Sequence, residues 1–418
     1  MTHSFHSTVL REYDIRGIIG ETLGAQDARA IGRAYGTLLR ADGGTSVAVG
    51  YDGRLSSPML EEALVEGLND VGIYAVRVGM GPTPMLYYAE ASAEDVHGGI
   101  QITGSHNPAN YNGFKIVFRG RPFFGADIQK LGEIAREGSW LTGEAAGPRG
   151  GSEHREVLTA YIARLTEGLA GLDREKLSTL RIGWDAGNGA AGPALEALTK
   201  LLPGEHHLLF TDVDGHFPNH HPDPTEEKNL ADLRRLVAEK KLDFGVAFDG
   251  DGDRLGVVTK NGNIIYPDRQ LMLFAADVLS RNPGAEIIFD VKSTRNLFSW
   301  IRQHGGKPTL WKTGHSLVKA KMKETGALLA GEMSGHVFFK ERWYGFDDGL
   351  YAGARLLEIL SRVTDPSDAL NNLPDAVSTP ELHIKLKEGE NYALIEKIRR
   401  GARFTDPKEI ITIDGLRV

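Results

Sequence analysis

The chain has 418 residues, a formal net charge of −8 and 41% hydrophobic residues. At roughly 100–200 residues per domain it holds two to four domains, each able to build a core, and its acidic balance argues against a nucleic-acid partner, which requires a basic face. The absence of cysteine excludes disulfides, thiolate chemistry and Cys-ligated zinc. No stretch nears the roughly 18 unbroken apolar residues of a membrane span, and the opening residues lack an apolar signal core, so a cytoplasmic protein is expected.

In chain order, Tyr13-Asp14-Ile15-Arg16-Gly17 forms a Gly-bounded loop that offers Arg16 to an anion. Ile31, Ala34, Tyr35, Leu38 and Leu39 mark an amphipathic helix, with Asp27 near its positive end. Ser46–Val49 reads as a strand leading to Tyr51-Asp52-Gly53-Arg54, and Ile73–Val78 as a second. Gly98–Ile102 is a third, running into Thr103-Gly104-Ser105-His106-Asn107-Pro108. Asn112-Gly113 is a turn, from which Lys115 returns toward that loop. Residues 137–156, rich in Gly, Glu and Ser, read as a first linker.

The order then repeats. Leu180–Trp184 leads to Asp185-Ala186-Gly187-Asn188, His207–Phe210 follows, and Phe244–Phe248 runs into Asp249-Gly250-Asp251-Gly252-Asp253-Arg254. Residues 261–268 read as a second linker. Glu286–Phe289 leads to Asp290-Val291-Lys292-Ser293, Thr309–Trp311 to Gly314 and His315, and Leu328–Ala330 to Gly331-Glu332-Met333-Ser334-Gly335-His336. Leu350, Ala354, Leu357 and Leu360 mark another amphipathic helix, which Asp347 and Asp348 can cap. Residues 361–379 read as a third linker. Three diverged copies of strand–helix–strand–helix–strand imply mixed, mostly parallel sheets covered by helices. Ligands of open α/β sheets bind outside the carboxyl ends of the strands, so the three polar loops are expected to converge on one cleft.

Each loop carries its own chemistry. Asp249, Asp251 and Asp253 are three like charges that repel unless a cation joins them, and an all-oxygen donor set suits Mg²⁺. A calcium EF-hand would need Gly and Glu where Arg254 and Lys260 stand, so that reading fails. Ser105 needs an activating base to act as a nucleophile, or it can carry phosphate itself, adding about −1.5 to −2 charge beside the aspartates. Glu332, Ser334 and His336 alternate and can share one face, with Glu332 able to accept from two neighbouring sugar hydroxyls. Lys292, Gly314 and His315 sit past strand ends, where an anion meets helix amides. Against these, Gly187-Asn188-Gly189-Ala190-Ala191-Gly192 after a strand, with Asp212 further on, fits a dinucleotide fingerprint, leaving an NAD(P)-dependent oxidoreductase as the rival reading.

TGSHNP around Ser105, DGDGDR at 249–254, GEMSGH at 331–336 and YDIRG at 13–17 together resemble the α-D-phosphohexomutases, most closely their bacterial phosphomannomutase/phosphoglucomutase branch, and the resemblance spans almost the whole chain. It implies three tandem α/β domains around a central cleft plus an incomplete C-terminal α+β domain. The expected bounds are 1–148 for a phosphoserine-loop domain, 149–260 for a magnesium-loop domain, 261–370 for a sugar-binding domain and 371–418 for the incomplete phosphate-binding domain. It implies a reaction that interconverts hexose 1-phosphate and hexose 6-phosphate through a phosphoserine and a 1,6-bisphosphate.

In that reading Ser105 is the phosphoserine, and Asp249, Asp251 and Asp253, with the serine phosphate, hold one Mg²⁺. Lys115, His106, Arg254 and Arg16 surround the transferring phosphoryl group, with Lys115 as general acid/base. Glu332 and Ser334, with His336 beside them, meet the sugar hydroxyls. Lys292, Gly314, His315 and Tyr13 are further substrate contacts. Met333 resembles the mannose/glucose branch, where the phosphoglucosamine branch usually shows Gln. Glucose 1,6-bisphosphate is the expected activator, a sugar phosphate the expected partner, and a monomer or weak dimer the expected state. The family's C-terminal Arg/Ser/Asn/Thr phosphate loop has no counterpart before Val418. That leaves a final strand with an exposed edge and a sugar-phosphate-binding fragment of impaired activity as a second rival.

Overall fold

The computed structural model describes residues 2–377, 382, 384, 386 and 390–418. Three sheets of seven, five and four strands follow one another along the chain. The first contains β1 (Ile15–Ile18), β2 (Ser46–Tyr51), β3 (Tyr74–Met80), β4 (Gly98–Ile102), β5 (Tyr111–Phe118), β6 (Arg121–Pro122) and β7 (Ser152–His154). The second contains β8 (Arg181–Asp185), β9 (Glu205–Leu209), β10 (Phe244–Phe248), β11 (Leu255–Thr259) and β12 (Ile264–Ile265). The third contains β13 (Glu286–Asp290), β14 (Lys307–Trp311), β15 (Leu329–Gly331) and β16 (Val337–Phe339).

One strand order recurs in all three: β5-β4-β2-β3, β11-β10-β8-β9 and β16-β15-β13-β14. In each, three strands run parallel as the sequence pattern implies, and a fourth returns antiparallel beside the third. The serine, aspartate and sugar loops each lie between a parallel third strand and its antiparallel neighbour. Fully buried strands such as β4, β10 and β11 read as continuous apolar runs because helices cover both faces.

Several sequence-level expectations change. The stretch 137–156 is no plain linker: Ser152–His154 pairs parallel with β3 and extends the first sheet past residue 148. Ile264–Ile265 pairs with β11, so the second sheet extends past residue 260. Within the expected third linker, Pro366–Asn371 is a helix capped by the Asp365 carboxylate, while residues 378 and 379 lie outside the described residues.

Helix Gly349–Leu360 is buried on every side rather than amphipathic. Its charges are paired inside the protein: Arg355 lies 3.0 Å from Asp277, 2.9 Å from Glu341 and 3.0 Å from Glu358. A Cβ added to its Gly353 would just touch Phe248, Leu255 and Trp184, at 3.5–3.6 Å, so this helix sits against the second sheet. Burying each of its leucines contributes about 1.5–3 kcal/mol. Asp348 alone caps it, accepting from the Tyr351 amide; Asp347 turns away toward Lys319. Near the C-terminus the described residues form helix Glu390–Gly401 and an isolated antiparallel bridge between Ile411 and Arg417 instead of the expected final strand.

Candidate active site

The three loops meet. Ser105 is 1% exposed, and its Oγ donates to Asp249 Oδ2 at 3.0 Å, with His106 Nδ1 at 3.2 Å. Its backbone is left-handed, at φ 49°, a conformation that costs a non-glycine residue about 1–3 kcal/mol and persists only where its surroundings over-determine it. Arg16 reaches the same loop through Asn107 Oδ1, at 2.6 Å.

Asp249, Asp251 and Asp253 are fully buried, with ligand oxygens within 4.8 Å of one another. Asp249 Oδ1 accepts from the amides of Asp253 at 3.1 Å and Arg254 at 3.2 Å, which curls the loop. Lys115 extends from β5 into this cluster, 2.7 Å from Asp251 and in contact with Asp253. Burial alone would lower the Lys115 pKa, but the aspartates outweigh it and hold it well above the ordinary value. Burial first, then Asp251 and Asp253, push the Asp249 carboxyl well up. Asp251 Oδ1 has no hydrogen-bond partner. Buried, crowded, oxygen-only donors with an orphaned carboxylate oxygen are what a bound hard cation satisfies, so the residues fit a metal ion.

The sugar loop closes against this cluster. Arg254 and His336 form an antiparallel bridge, with Arg254 Nε 3.3 Å from His336 Nε2. His336 Nε2 lies 3.3 Å from Asp253, and its Nδ1 lies 3.1 Å from Glu332 and 2.8 Å from Ser334 Oγ. Burial would lower His336, but Asp253 prevails and raises it to about 9. His106 is pushed far below the usual histidine range by burial and by the neighbouring Arg254 and Arg16. His315 is pushed down by burial and Lys319.

Glu332 accepts from the Gly314 amide at 2.5 Å. Gly314, at φ 133°, lies against the Tyr13 ring, 3.2 Å from where a Cβ would stand. His315 faces Asp347 at 3.6 Å, and Lys319 ties Asp347, at 2.7 Å, to the Tyr87 hydroxyl at 3.2 Å. Lys292 is exposed just past the end of β13, in a turn whose flanking carbonyls, Val291 and Ser293, accept from Arg417.

Ser105, His106, Lys115, Asp249, Asp251, Asp253, Arg254, Glu332, Ser334, His336, Gly314, His315, Tyr13 and Arg16 thus belong to one connected site, with Lys292 at its outer turn.

Two supporting residues escape a reading of the sequence. Asp290 accepts from Ser293 Oγ at 2.6 Å, the Met333 amide at 3.2 Å and Thr313 Oγ1 at 3.1 Å, tying the three strand-end turns of the third sheet together. Burial and Glu332 raise it to about 6. Arg54, fully buried, holds the serine loop from beneath. Both stand at the carboxyl end of a first strand, which is the one signal the sequence carries for them.

The glycine run 187–192 serves packing. A Cβ on Gly189 would lie 2.8 Å from the Gly250 carbonyl, and one on Gly192 would lie 1.9 Å from that of Thr211. The Ala190 amide donates to the Gly250 carbonyl at 2.9 Å, so the loop braces the aspartate loop. Among the described residues no helix is long and apolar enough to cross a membrane.

The family models described as phosphoglucomutase/phosphomannomutase alpha/beta/alpha domains I, II and III match residues 7–141, 159–262 and 266–377. The chain is 53% identical to a phosphoglucomutase of Neisseria meningitidis over 411 residues, covering 98% of this chain and 87% of that protein. It is 50% identical to a phosphomannomutase/phosphoglucomutase of Pseudomonas aeruginosa over 413 residues, covering 99% and 87%. The crystal structure of a phosphoglucomutase/phosphomannomutase family protein from Burkholderia thailandensis superposes with a TM-score of 0.91 at 54% identity, over 99% of this chain and 88% of that one. Neither the dinucleotide reading nor that of an impaired binding fragment finds support in these relatives. The convergent loops and the matched domains have one meaning: the chain belongs to the phosphoglucomutase/phosphomannomutase family and is a phosphohexomutase, an isomerase.

Proposed function

We propose that the chain interconverts the 1- and 6-phosphates of glucose and mannose by passing phosphoryl through Ser105. The observation that carries this reading is the 3.0 Å bond from Ser105 Oγ to Asp249 across the junction of two units. A serine held beside three buried carboxylates is poorly placed to ionise, but its phosphorylated form brings about −1.5 to −2 charge, which one divalent cation shared with the carboxylates offsets. The phosphoserine is therefore the working state. Its phosphoryl group passes from Oγ to the free O1 or O6 of a hexose phosphate, while Lys115 gives a proton to the departing Oγ and takes up the one the sugar oxygen releases. The bisphosphate turns over in the cleft, and its other phosphoryl group returns to Ser105 Oγ, leaving the isomeric monophosphate.

Asp249, Asp251, Asp253 and the serine oxygen are the residues that would hold one Mg²⁺, which when bound supplies positive charge against the phosphoryl oxygens. Arg254, Arg16 and His106 line the serine side and orient the group in flight. Lys115, kept as an ammonium by its aspartates, fits the donor of the proton that Ser105 regains. Glu332 and Ser334 accept from the sugar hydroxyls, and His336 fixes Glu332. Gly314, His315, Tyr13 and Lys292 complete the substrate wall. Burial of the serine keeps water from the phosphoserine, and glucose 1,6-bisphosphate charges the serine when it has lost its phosphate.

A monomer or weak dimer and cytoplasmic residence complete the reading, checked by light scattering and by cell fractionation. The reaction is tested by ³¹P NMR with glucose 1-phosphate and with mannose 1-phosphate. Appearance of both 6-phosphates, faster with trace glucose 1,6-bisphosphate, is expected. Conversion that leaves this bisphosphate without effect and forms none would contradict the shuttle.

A further inference from the structure

We infer that Arg54 is the positioning residue for Ser105: with Asp52 it clamps the serine loop in the left-handed turn that aims Oγ at the aspartates. The inference deepens the reading of Ser105 as phosphoryl carrier and rests on it. Arg54 stands just past β2, and its side chain is 0% exposed. Its Nη2 donates to the carbonyls of Ser105 at 2.8 Å and Asn107 at 2.6 Å. Its Nη1 donates to those of Pro108 at 2.5 Å and Tyr111 at 2.9 Å. Nε turns to Asp52 Oδ2 at 3.2 Å. The same Asp52 oxygen accepts from the Gly104 amide at 3.0 Å.

One buried ion pair therefore holds the backbone on both sides of the reacting side chain, through the amide before Ser105 and through its own carbonyl. Four carbonyls spread over residues 105–111 converge on one planar fork. Only a guanidinium offers that many directed donors; a lysine ammonium has three and no plane. The loop is built around this group. Gly104 has no room for a Cβ, which would lie 2.4 Å from Arg54 Cζ. The left-handed φ of Ser105 is sustained by contacts to its neighbours: Arg54 on its carbonyl, Thr103 Oγ1 accepting from its amide at 2.8 Å, and Asp52 on the amide of Gly104 before it.

The far side of the clamp is a seat for the second unit. Phe217 lies over the guanidinium, 5.4 Å from ring centroid to Cζ, and a Cβ on Gly215 would lie 2.8 Å from the Gly53 carbonyl. The element that shapes the serine loop thus also touches the unit that carries the aspartates, adding to the direct bonds that Ser105 and Lys115 make to the aspartate loop. A misplacement of about 1 Å in such a site costs on the order of 100-fold in rate.

The test compares wild type, Arg54→Ala and Arg54→Lys for the rate at which Ser105 takes phosphate from glucose 1,6-bisphosphate, and for kcat and KM. Arg54→Ala is expected to lose on the order of 100-fold in phosphorylation rate and kcat with KM little changed, and to recover at least about 10-fold when guanidinium ion at sub-denaturing concentration fills the vacated space. An Arg54→Ala chain that is phosphorylated as fast as wild type overturns the inference. So does a loss that guanidinium does not restore while the thermal midpoint and its response to Mg²⁺ match wild type. If Arg54→Ala does not fold, Arg54→Lys decides: a fall in kcat at unchanged KM supports the clamp, and wild-type turnover removes it. A wild-type chain that takes up no phosphate overturns the Ser105 reading and the clamp together, whereas a phosphorylated wild type with an equally fast Arg54→Ala overturns the clamp alone.

Discussion

Ser105 and Asp249 lie 144 positions apart in sequence, and a 3.0 Å hydrogen bond joins their side chains. The bond crosses from the first sheet's serine loop to the second sheet's aspartate loop, so neither unit alone contains the site. The proposed phosphoryl transfer rests on this serine, held in left-handed backbone and bonded to one of three buried carboxylates. The consequences can be measured.

In the proposed shuttle, replacing Ser105 with Ala removes the phosphoryl carrier while leaving Arg54 and its bonds to the loop in place. Mutase turnover should fall by at least about 1000-fold, as losing a nucleophile does, with a thermal midpoint close to wild type. Turnover within a few-fold of wild type would remove Ser105 from the mechanism.

Asp251→Asn keeps the shape of the aspartate loop and takes away one charge. A ligand that binds only the folded state stabilises by RT ln(1 + [L]/Kd). The Mg²⁺-induced rise in thermal midpoint should therefore shrink, with apparent Mg²⁺ affinity weaker by about 10-fold or more. An unchanged Mg²⁺ titration would place the cation elsewhere.

Glu332→Gln preserves the bond to the Gly314 amide but weakens acceptance from sugar hydroxyls. Hydrogen bonds to a charged group are worth about 1.5–3 kcal/mol, so kcat/KM should drop about 10- to 100-fold. Phosphorylation of Ser105 by glucose 1,6-bisphosphate at elevated concentration should survive. If kcat/KM holds steady for both hexose phosphates, Glu332 does not hold the sugar.

Asp348 supplies a pH prediction away from the phosphoryl chemistry. Burial pushes its carboxyl up to about 7, although Tyr161 donates to both of its oxygens at 2.9 Å. An unfolded aspartate titrates near about 3.9, so between these values the folded chain holds a proton that the unfolded chain has lost. Stability attributable to this group therefore falls as pH rises from about 4 to about 7, and the cost is complete above that. Asp348→Asn keeps the acceptor for Tyr351 and Tyr161 and does not titrate. It should gain on wild type by roughly 2–4 kcal/mol between pH 4 and pH 8 in urea unfolding. A constant difference across that range would show that Asp348 is ionised in the fold.

The three loops that meet were legible in the sequence because each sits where a short apolar run breaks into polar and glycine residues, and parallel strands force those breaks onto one edge. The returning strands β5, β11 and β16 were not. Val337–Phe339 is three residues, and Leu255–Thr259 is buried throughout, so neither shows the alternation that separates a strand from a loop or helix. Ser152–His154 was hidden in the same way, polar and three residues long. Helix Gly349–Leu360 looked amphipathic because Arg355 and Glu358 break its apolar pattern, and only the fold shows that Asp277, Glu341 and Arg342 neutralise them inside. Arg54 and Asp290 act through tertiary bonds to loops far along the chain, and no local spacing encodes such a partner.

Peptide mass mapping of Ser105 tests the central claim most directly. The protein is incubated with Mg²⁺ and glucose 1,6-bisphosphate whose phosphoryl groups carry ¹⁸O, mapped, challenged with unlabelled mannose 1-phosphate and mapped again. One labelled phosphate is expected on Ser105 after the bisphosphate; on challenge the label passes to the mannose phosphates and an unlabelled phosphate takes its place. A peptide that stays unmodified, or a labelled phosphoryl group that remains on Ser105 while the sugar is isomerised, would contradict it.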